Sequence, residues 1–288
     1  MLSTITTYGR MIKFSHTIFA LPFALSAVIL ALDRDYAFNP GDFFWIILAM
    51  IGARSAAMGF NRIVDAAIDA KNPRTAQREI PSGKITHVQS ILFVTGFSAL
   101  FLLAAAMLGK VCFYCAIPTL ALLFSYSYTK RFTFLCHLFL GFAISMAPLG
   151  AWIATTKSFY WPILILSFAL MTHISGFDIL YACQDYAFDR AEDLYSIPSK
   201  YGIARALQIS SILHVICFLS FIAIYFMFEL HFIYLISAMM IGGILLVEHM
   251  IVTSENLTQI PIAFFHMNSA VSLILLAGIA GDVFLWPH

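Results

Sequence analysis

Residues 43–84 read FFWIILAMIGARSAAMGFNRIVDAAIDAKNPRTAQREIPSGK. The first eleven positions carry no charge, and Arg54 is the single charge before Asn61. Two aspartates and five basic residues then crowd between Gly59 and Lys84. About 20 apolar residues of helix suffice to cross the hydrocarbon core of a bilayer. The stretch therefore reads as a membrane helix that runs directly into a charged segment.

The rest of the chain is built the same way. Its 288 residues are 61% hydrophobic and 11% charged. A soluble domain cannot hide that much apolar surface, so the composition indicates a polytopic membrane protein. Nine apolar runs occur, at about 14–32, 43–63, 88–109, 111–128, 132–154, 160–180, 204–226, 231–252 and 262–285. With the N-terminus inside, twelve of the 16 Lys and Arg fall in inside segments. Arg34, Lys110 and Lys157 fall outside, and Arg54 lies within a run. That bias follows the positive-inside rule. The expectation is one all-α membrane domain over residues 1–288, a bundle of about nine transmembrane helices with polar loops on the cytosolic side. The net charge of +1 implies no nucleic-acid partner.

Smaller features fit this frame. The first run reads as a retained helix rather than a signal peptide, with Pro22 as a tolerated kink. His16 in that run is an interfacial histidine or a substrate contact. Cys112 and Cys115 form a C-x-x-C pair, which with no second pair nearby reads as helix packing. His137, His173, His214, His249 and His266 share no ligand spacing and read as packing or interface residues. The two long polar segments, about 64–87 and 181–203, follow the second and sixth runs. Their matched acidic patterns suggest a loose internal duplication.

Both segments open on an acidic stripe. Asn61, Asp65 and Asp69 are four apart, so on a helix all three fall within an arc of about 80°. Arg54 lies about 20° from the same face. In the second stripe Asp178, Tyr181, Asp185 and Asp189 share one face if the helix continues to about Asp189. Carboxylates near a bilayer are costly and mark function by default. Two on one face repel unless a cation lies between them. Mg²⁺ takes one or two carboxylates, several waters and substrate phosphates. Twin Asp stripes beside Arg74, Arg78, Lys84, Lys130 and Arg131 thus describe a site for a Mg²⁺-bridged diphosphate. A solvated helix end remains the plain alternative for any one of these residues taken alone.

These residues resemble the UbiA-type intramembrane prenyltransferases, in the branch similar to 4-hydroxybenzoate polyprenyltransferases. "NRIVDAAID" and "DILYACQDYAFD" resemble the two aspartate motifs of that family, and "YSYTKR" at 126–131 its Tyr–Lys element. The resemblance implies a nine-helix bundle around a central cavity capped by the two polar loops. It implies that Asp65 and Asp69 ligate one Mg²⁺ and Asp185 and Asp189 another. It places Asn61 between diphosphate and acceptor, Asp178 with Tyr181 near the reacting carbons, and Tyr126 and Lys130 on diphosphate. Arg62 departs from the motif, standing where many members have Asp, but at about 100° from Asn61 it points off the stripe.

The chemistry implied is metal-assisted departure of diphosphate from a polyprenyl diphosphate, followed by attack of an electron-rich ring on the allylic cation. Asp178 is the candidate for removing the ring proton or orienting the acceptor. Arg54 is either a partner for an acceptor carboxylate or an internal helix–helix donor. The resemblance implies an aromatic carboxylate as acceptor, with 4-hydroxybenzoate ahead of a dihydroxynaphthoate, in quinone biosynthesis at a bacterial-type inner membrane. The lipid tail reaches the site from the membrane. A divalent-cation transporter is the rival from another class, but the basic loops would obstruct a cation path. A phosphotransferase for nucleotide-activated alcohols is disfavoured by the missing Asp-Gly-x-x-Ala-Arg opening.

Overall fold

The computed structural model describes residues 2–286, excluding the side chains of residues 2–5, 14–16 and 264. The side chain of His16 therefore lies outside the described residues. Helices α1 (Leu2–Met11), α2 (Leu21–Leu32), α3 (Pro40–Val64), α4 (Ala66–Lys71), α5 (His87–Leu108), α6 (Lys110–Thr129) and α7 (Cys136–Thr156) form the first half. They are followed by α8 (Ile163–Ala182), α9 (Tyr186–Ala191), α10 (Ile197–Tyr201), α11 (Ile203–Met227), α12 (Phe232–Ile251), α13 (Ile260–Ile262) and α14 (Asn268–Leu285). Eight helical stretches among the described residues are long and apolar enough to cross a membrane. They correspond to the second to ninth apolar runs. The chain is thus an all-α polytopic integral membrane protein.

The first run departs from expectation. It is a 3₁₀ turn at Phe14–Phe19 followed by the 12-residue α2, not one spanning helix. Lys13 has a left-handed backbone, φ 45°, and Pro22 sits in the first turn of α2. Proline lacks the N–H that a continuous helix would need there. Pro22 therefore starts a helix rather than kinking one. The last run is interrupted as well. A wide π turn at Ala263–Met267 precedes α14, and the Asn268 amide donates to the Ala263 carbonyl at 2.9 Å.

The chain divides into two compact units. The first holds the residues up to Thr17 with Pro40–Tyr128. Its axis is the α3–α5 pair. Gly52 and Gly59 sit seven apart on α3, where an added Cβ would lie 2.8 Å from the Phe101 backbone nitrogen and from the Val94 side chain. Small residues at this spacing let two membrane helices approach closely. Arg62 turns off the acidic stripe and donates from Nε to the Met11 carbonyl at the end of α1, 3.1 Å away. Cys112 packs beside Phe101 and Ala105, while Cys115 faces outward, and no disulfide joins any of the five cysteines.

The second unit holds Ile18–Asn39 and Thr129–His288. In it α8 packs between α7 and α11, and α12 against α14. The buried faces are aromatic, with Phe23, Trp152, Phe221, Phe228 and Tyr234 at most 1% exposed. The helix contacts are also polar. Ser175 donates to the His137 carbonyl on α7, and Ser210 of α11 donates to the Gly176 carbonyl at 2.7 Å. His214 Nε2 lies 3.3 Å from the His173 carbonyl and its Nδ1 3.0 Å from His249 Nε2. The carbonyl can only accept, so His214 donates from Nε2 and accepts at Nδ1. Three histidines with no common spacing in sequence are thus neighbours across α8, α11 and α12. Glu248, fully buried, takes the Asn268 amide at 3.1 Å. Asp282 of α14 accepts from the His231 and Tyr234 N–H groups at the start of α12. A carboxylate there satisfies donors that the helix leaves open. Arg34 donates to the Met227 carbonyl at the end of α11 and stacks over Tyr160 at 4.9 Å.

Gly176 decides how closely α11 approaches α8, because an added Cβ would run into the His214 ring. Gly176→Ala should lower stability by about 1–3 kcal/mol, read as thermal unfolding of the detergent-solubilised protein. Adding His214→Ala should return part of that loss, because the two residues contact each other. Strictly additive losses would show that the ring is not the obstacle.

Candidate active site

In each acidic motif the backbone leaves the regular helix at the first aspartate, directly in the first motif and at the end of a 3₁₀ turn in the second. Asp65 separates α3 from α4 with φ −90° and ψ 1°, and Asp185 precedes α9 with φ −97° and ψ 5°. Both values lie in the sparsely used bridge region where active-site residues are often found. In each case a six-residue helix follows, and its fourth residue is the second aspartate of the motif. Asp69 is 5% exposed and Asp189 is 2% exposed. The suggested duplication is thus visible in local structure.

In the first motif the backbone ladder survives the break. Asp65 N–H donates to the Asn61 carbonyl at 2.9 Å, and Asp69 N–H to the Asp65 carbonyl at 2.8 Å. Asn61, Asp65 and Asp69 therefore keep the common stripe expected of them. The Asn61 amide donates to Asp65 Oδ2 at 2.9 Å. Arg78 reaches back from the polar loop and places one guanidinium nitrogen 2.7 and 2.8 Å from the two oxygens of Asp69. Its partner in the structure is thus an expected metal ligand. The loop itself is folded by Thr75, whose hydroxyl donates to the Asp69 carbonyl, and by Asn72, whose side chain accepts from the Arg74 N–H. Arg74 and Lys84 lie exposed on this loop. Arg54, deeper on α3, donates to the Lys13 carbonyl at 3.0 Å, and its buried Nε has no hydrogen-bond partner.

In the second motif the helix does not continue regularly to Asp189. A 3₁₀ turn at Cys183–Asp185 lies between α8 and α9. Such a turn advances about 120° per residue rather than 100°, so Asp185 and Asp189 are rotated relative to Asp178. Tyr181 packs beside the buried Ile179, Leu180 and Cys183 cluster. Asp193 has φ 51°, and Leu194 N–H bonds to the Asp189 carbonyl at 2.8 Å, which closes α9 with a left-handed cap. The loop then turns back. Ser196 caps α10 and donates its hydroxyl to Asp189 Oδ2 at 3.0 Å. Lys130 and Asp185 are both close enough to Asp189 to interact with it electrostatically. Tyr126 closes the last turn of α6, and Lys130 and Arg131 follow in the turn after it.

Asp178 sits on α8 with its side chain 21% exposed. His137 Nδ1 lies 2.7 Å from its Oδ2. His137 was expected to be a packing residue, and no spacing in the sequence links it to a residue 41 positions away. Ser196 did leave a legible signal, because Ser at 196 and 199 form a reciprocal cap directly after the acidic motif.

Asp189 Oδ1 is buried and has no hydrogen-bond partner. A buried carboxylate oxygen without a partner is costly, and a cation relieves that cost. The paired carboxylates of each motif suit a hard, oxygen-seeking ion such as Mg²⁺. Among the described residues, no group of three or more His, Cys, Asp or Glu could hold a metal alone. Mg²⁺ does not require one, because waters and phosphate complete its shell.

Residues 20–270 match the UbiA prenyltransferase family. A 4-hydroxybenzoate octaprenyltransferase of Vibrio campbellii is 35% identical over 150 residues, 51% of each chain, so the match spans about half the relative's length. One from Nitrosomonas eutropha is 26% identical over 243 residues, 83% of each chain. The apo structure of a UbiA homolog from Aeropyrum pernix K1 has a TM-score of 0.84 at 30% identity, covering 93% of this chain and 98% of that one. A UbiA homolog from Archaeoglobus fulgidus bound to GPP and Mg²⁺ shares the fold, with a TM-score of 0.68 at 17% identity, covering 93% of this chain and 99% of that one. Two matched aspartate motifs at the ends of membrane helices, and a family match over most of the chain, lead to one conclusion: the chain belongs to the UbiA prenyltransferase family.

Proposed function

We propose that the protein transfers a polyprenyl chain from a polyprenyl diphosphate to an aromatic carboxylate, with 4-hydroxybenzoate as the acceptor. The observation that carries this reading is the repeated local fold of the two acidic motifs, each presenting a pair of carboxylates at the end of a membrane helix. The names of the Vibrio and Nitrosomonas relatives favour the acceptor. The whole chain would act as one domain, with the N-terminus and the site on the cytosolic side of a bacterial inner membrane.

In this reading Asp65 and Asp69 hold one Mg²⁺, and Asp185 and Asp189 a second. When bound, the metal supplies charge neutralisation for the departing diphosphate. Arg74, Arg78, Lys84, Tyr126, Lys130 and Arg131 bind the remaining diphosphate oxygens. Arg78 already grips a carboxylate through both oxygens, and a phosphate offers it the same geometry. Asn61, tied to Asp65, orients the allylic diphosphate against the acceptor. Asp178 takes the proton released by the prenylated ring, and Tyr181 flanks it. Arg54 has a buried donor with no partner, which suits an acceptor carboxylate. The tail enters from the lipid.

Three measurements test the reading with purified protein, a polyprenyl diphosphate and a panel of aromatic acceptors, products being identified by mass. Asp65→Ala and Asp189→Ala should each reduce product at least 100-fold while the variants unfold near the wild-type temperature. Removing Mg²⁺ with a chelator should abolish product, and adding it back should restore activity. Arg54→Ala should raise the acceptor KM by about tenfold or more, the scale of a lost charge-assisted hydrogen bond, and leave the KM for the diphosphate unchanged. Normal turnover by folded Asp65→Ala, or Mg²⁺ flux into proteoliposomes without product, would defeat the proposal. Product from a dihydroxynaphthoate alone would move the acceptor, and not the reaction class.

A further inference from the structure

The loop after the second acidic motif contacts Asp189 directly and reaches Asp178 through the His137 ring. The Ser196 hydroxyl donates to Asp189 Oδ2 at 3.0 Å. The next residue, Ile197, directs its N–H at His137 Nε2 from 3.3 Å. The other nitrogen of that ring, Nδ1, meets Asp178 Oδ2 at 2.7 Å. A backbone N–H can only donate, so Nε2 is the acceptor and Nδ1 carries the proton given to Asp178. His137 is 3% exposed. Two further contacts hold the same loop against the turn after α6 and the start of α7. Tyr195 N–H donates to the Lys130 carbonyl at 2.8 Å, and the Cys136 thiol reaches the Tyr195 carbonyl at 3.5 Å.

We infer that His137 is a positioning residue, and that with Ser196 and Ile197 it forms a latch that couples the setting of Asp189 to the orientation of Asp178. The inference rests on the prenyl-transfer reading above. The physical reason lies in the ring. With Nε2 pinned by the loop, the imidazole can neither flip nor exchange its tautomer without losing a bond, so the donor to Asp178 has a fixed direction. One oxygen of Asp178 is thereby occupied, and the other is left for the acceptor. A shift of Asp189, carried through Ser196, moves the Ile197 N–H and hence the ring. The two carboxylates then adjust together, although neither contacts the other through this path.

Amide side chains separate the two bonds of the ring. The nitrogen of Asn occupies the place of Nδ1, and the amide oxygen of Gln reaches the place of Nε2. His137→Asn should keep the donor to Asp178 and release the loop. It should lower kcat about threefold, less than loss of the donor does, because the donor stays but is no longer held in direction, with faster backbone hydrogen exchange in residues 192–202. His137→Gln should keep the loop protected and lose the donor, lowering kcat about tenfold, the worth of one buried hydrogen bond, with the diphosphate KM unchanged. His137→Ala should show both effects, and Ser196→Ala should show faster exchange. Thermal unfolding of each variant controls for folding. Equal losses of kcat in the Asn and Gln variants that track stability overturn the inference, and so does His137→Ala with wild-type kcat. Wild-type exchange in His137→Ala also overturns it. Exchange needs no turnover, so a wild-type protein that makes no product defeats the functional reading while the latch is still decided by exchange.

Discussion

Water is absent from the hydrocarbon interior of a bilayer, so a polar group placed there must find its partner within the protein. This constraint accounts for most of what is specific about the structure. The helices are apolar on the faces turned outward, where Leu92, Ile212, Leu219 and Leu246 are exposed. Hydrophobicity cannot draw such helices together, because lipid is as apolar as leucine. Small residues and short hydrogen bonds do so instead. Gly52 and Gly59 admit α5 to the backbone of α3, and Ser175, Ser210 and His214 hold α8 from two sides. The carboxyl groups of Glu248 and Asp282 are engaged by an amide and by helix-start N–H groups.

The acidic motifs obey the same constraint at the helix ends. Their first aspartate leaves the regular helix, and the second is buried in a short following helix. Burial makes each second aspartate depend on its loop, through Arg78 for Asp69 and Ser196 for Asp189. Each loop supplies the hydrogen bonds that make a buried carboxylate tolerable, and a bound cation would take over part of that role. α8 is held tightly in the two turns before Asp178, which fixes where that carboxylate stands.

Much of this was legible in the residues. The second to eighth apolar runs agree with helices to within a few residues, because length and apolarity are properties of a segment by itself. The Asn61, Asp65 and Asp69 stripe was legible because it depends on helical period alone. The first run is not one spanning helix, and composition does not register that Pro22 restarts the helix. The second stripe was only partly right, since a 3₁₀ turn at 183–185 changes the angle from Asp178 onward.

Hydrophobic length and residue period act locally, so the class of the protein, the second to ninth spans and the two acidic motifs are readable from the residues alone. Tertiary structure alone decided which partners those acids meet. Arg78 on Asp69, Ser196 on Asp189, His137 on Asp178 and His249 on His214 pair residues between 7 and 41 positions apart. No periodic pattern links them, since each pairing depends on how a loop turns back or on which helices lie side by side. In a medium without water that choice is enforced, because a polar group left unpaired costs more than the bond it could have made.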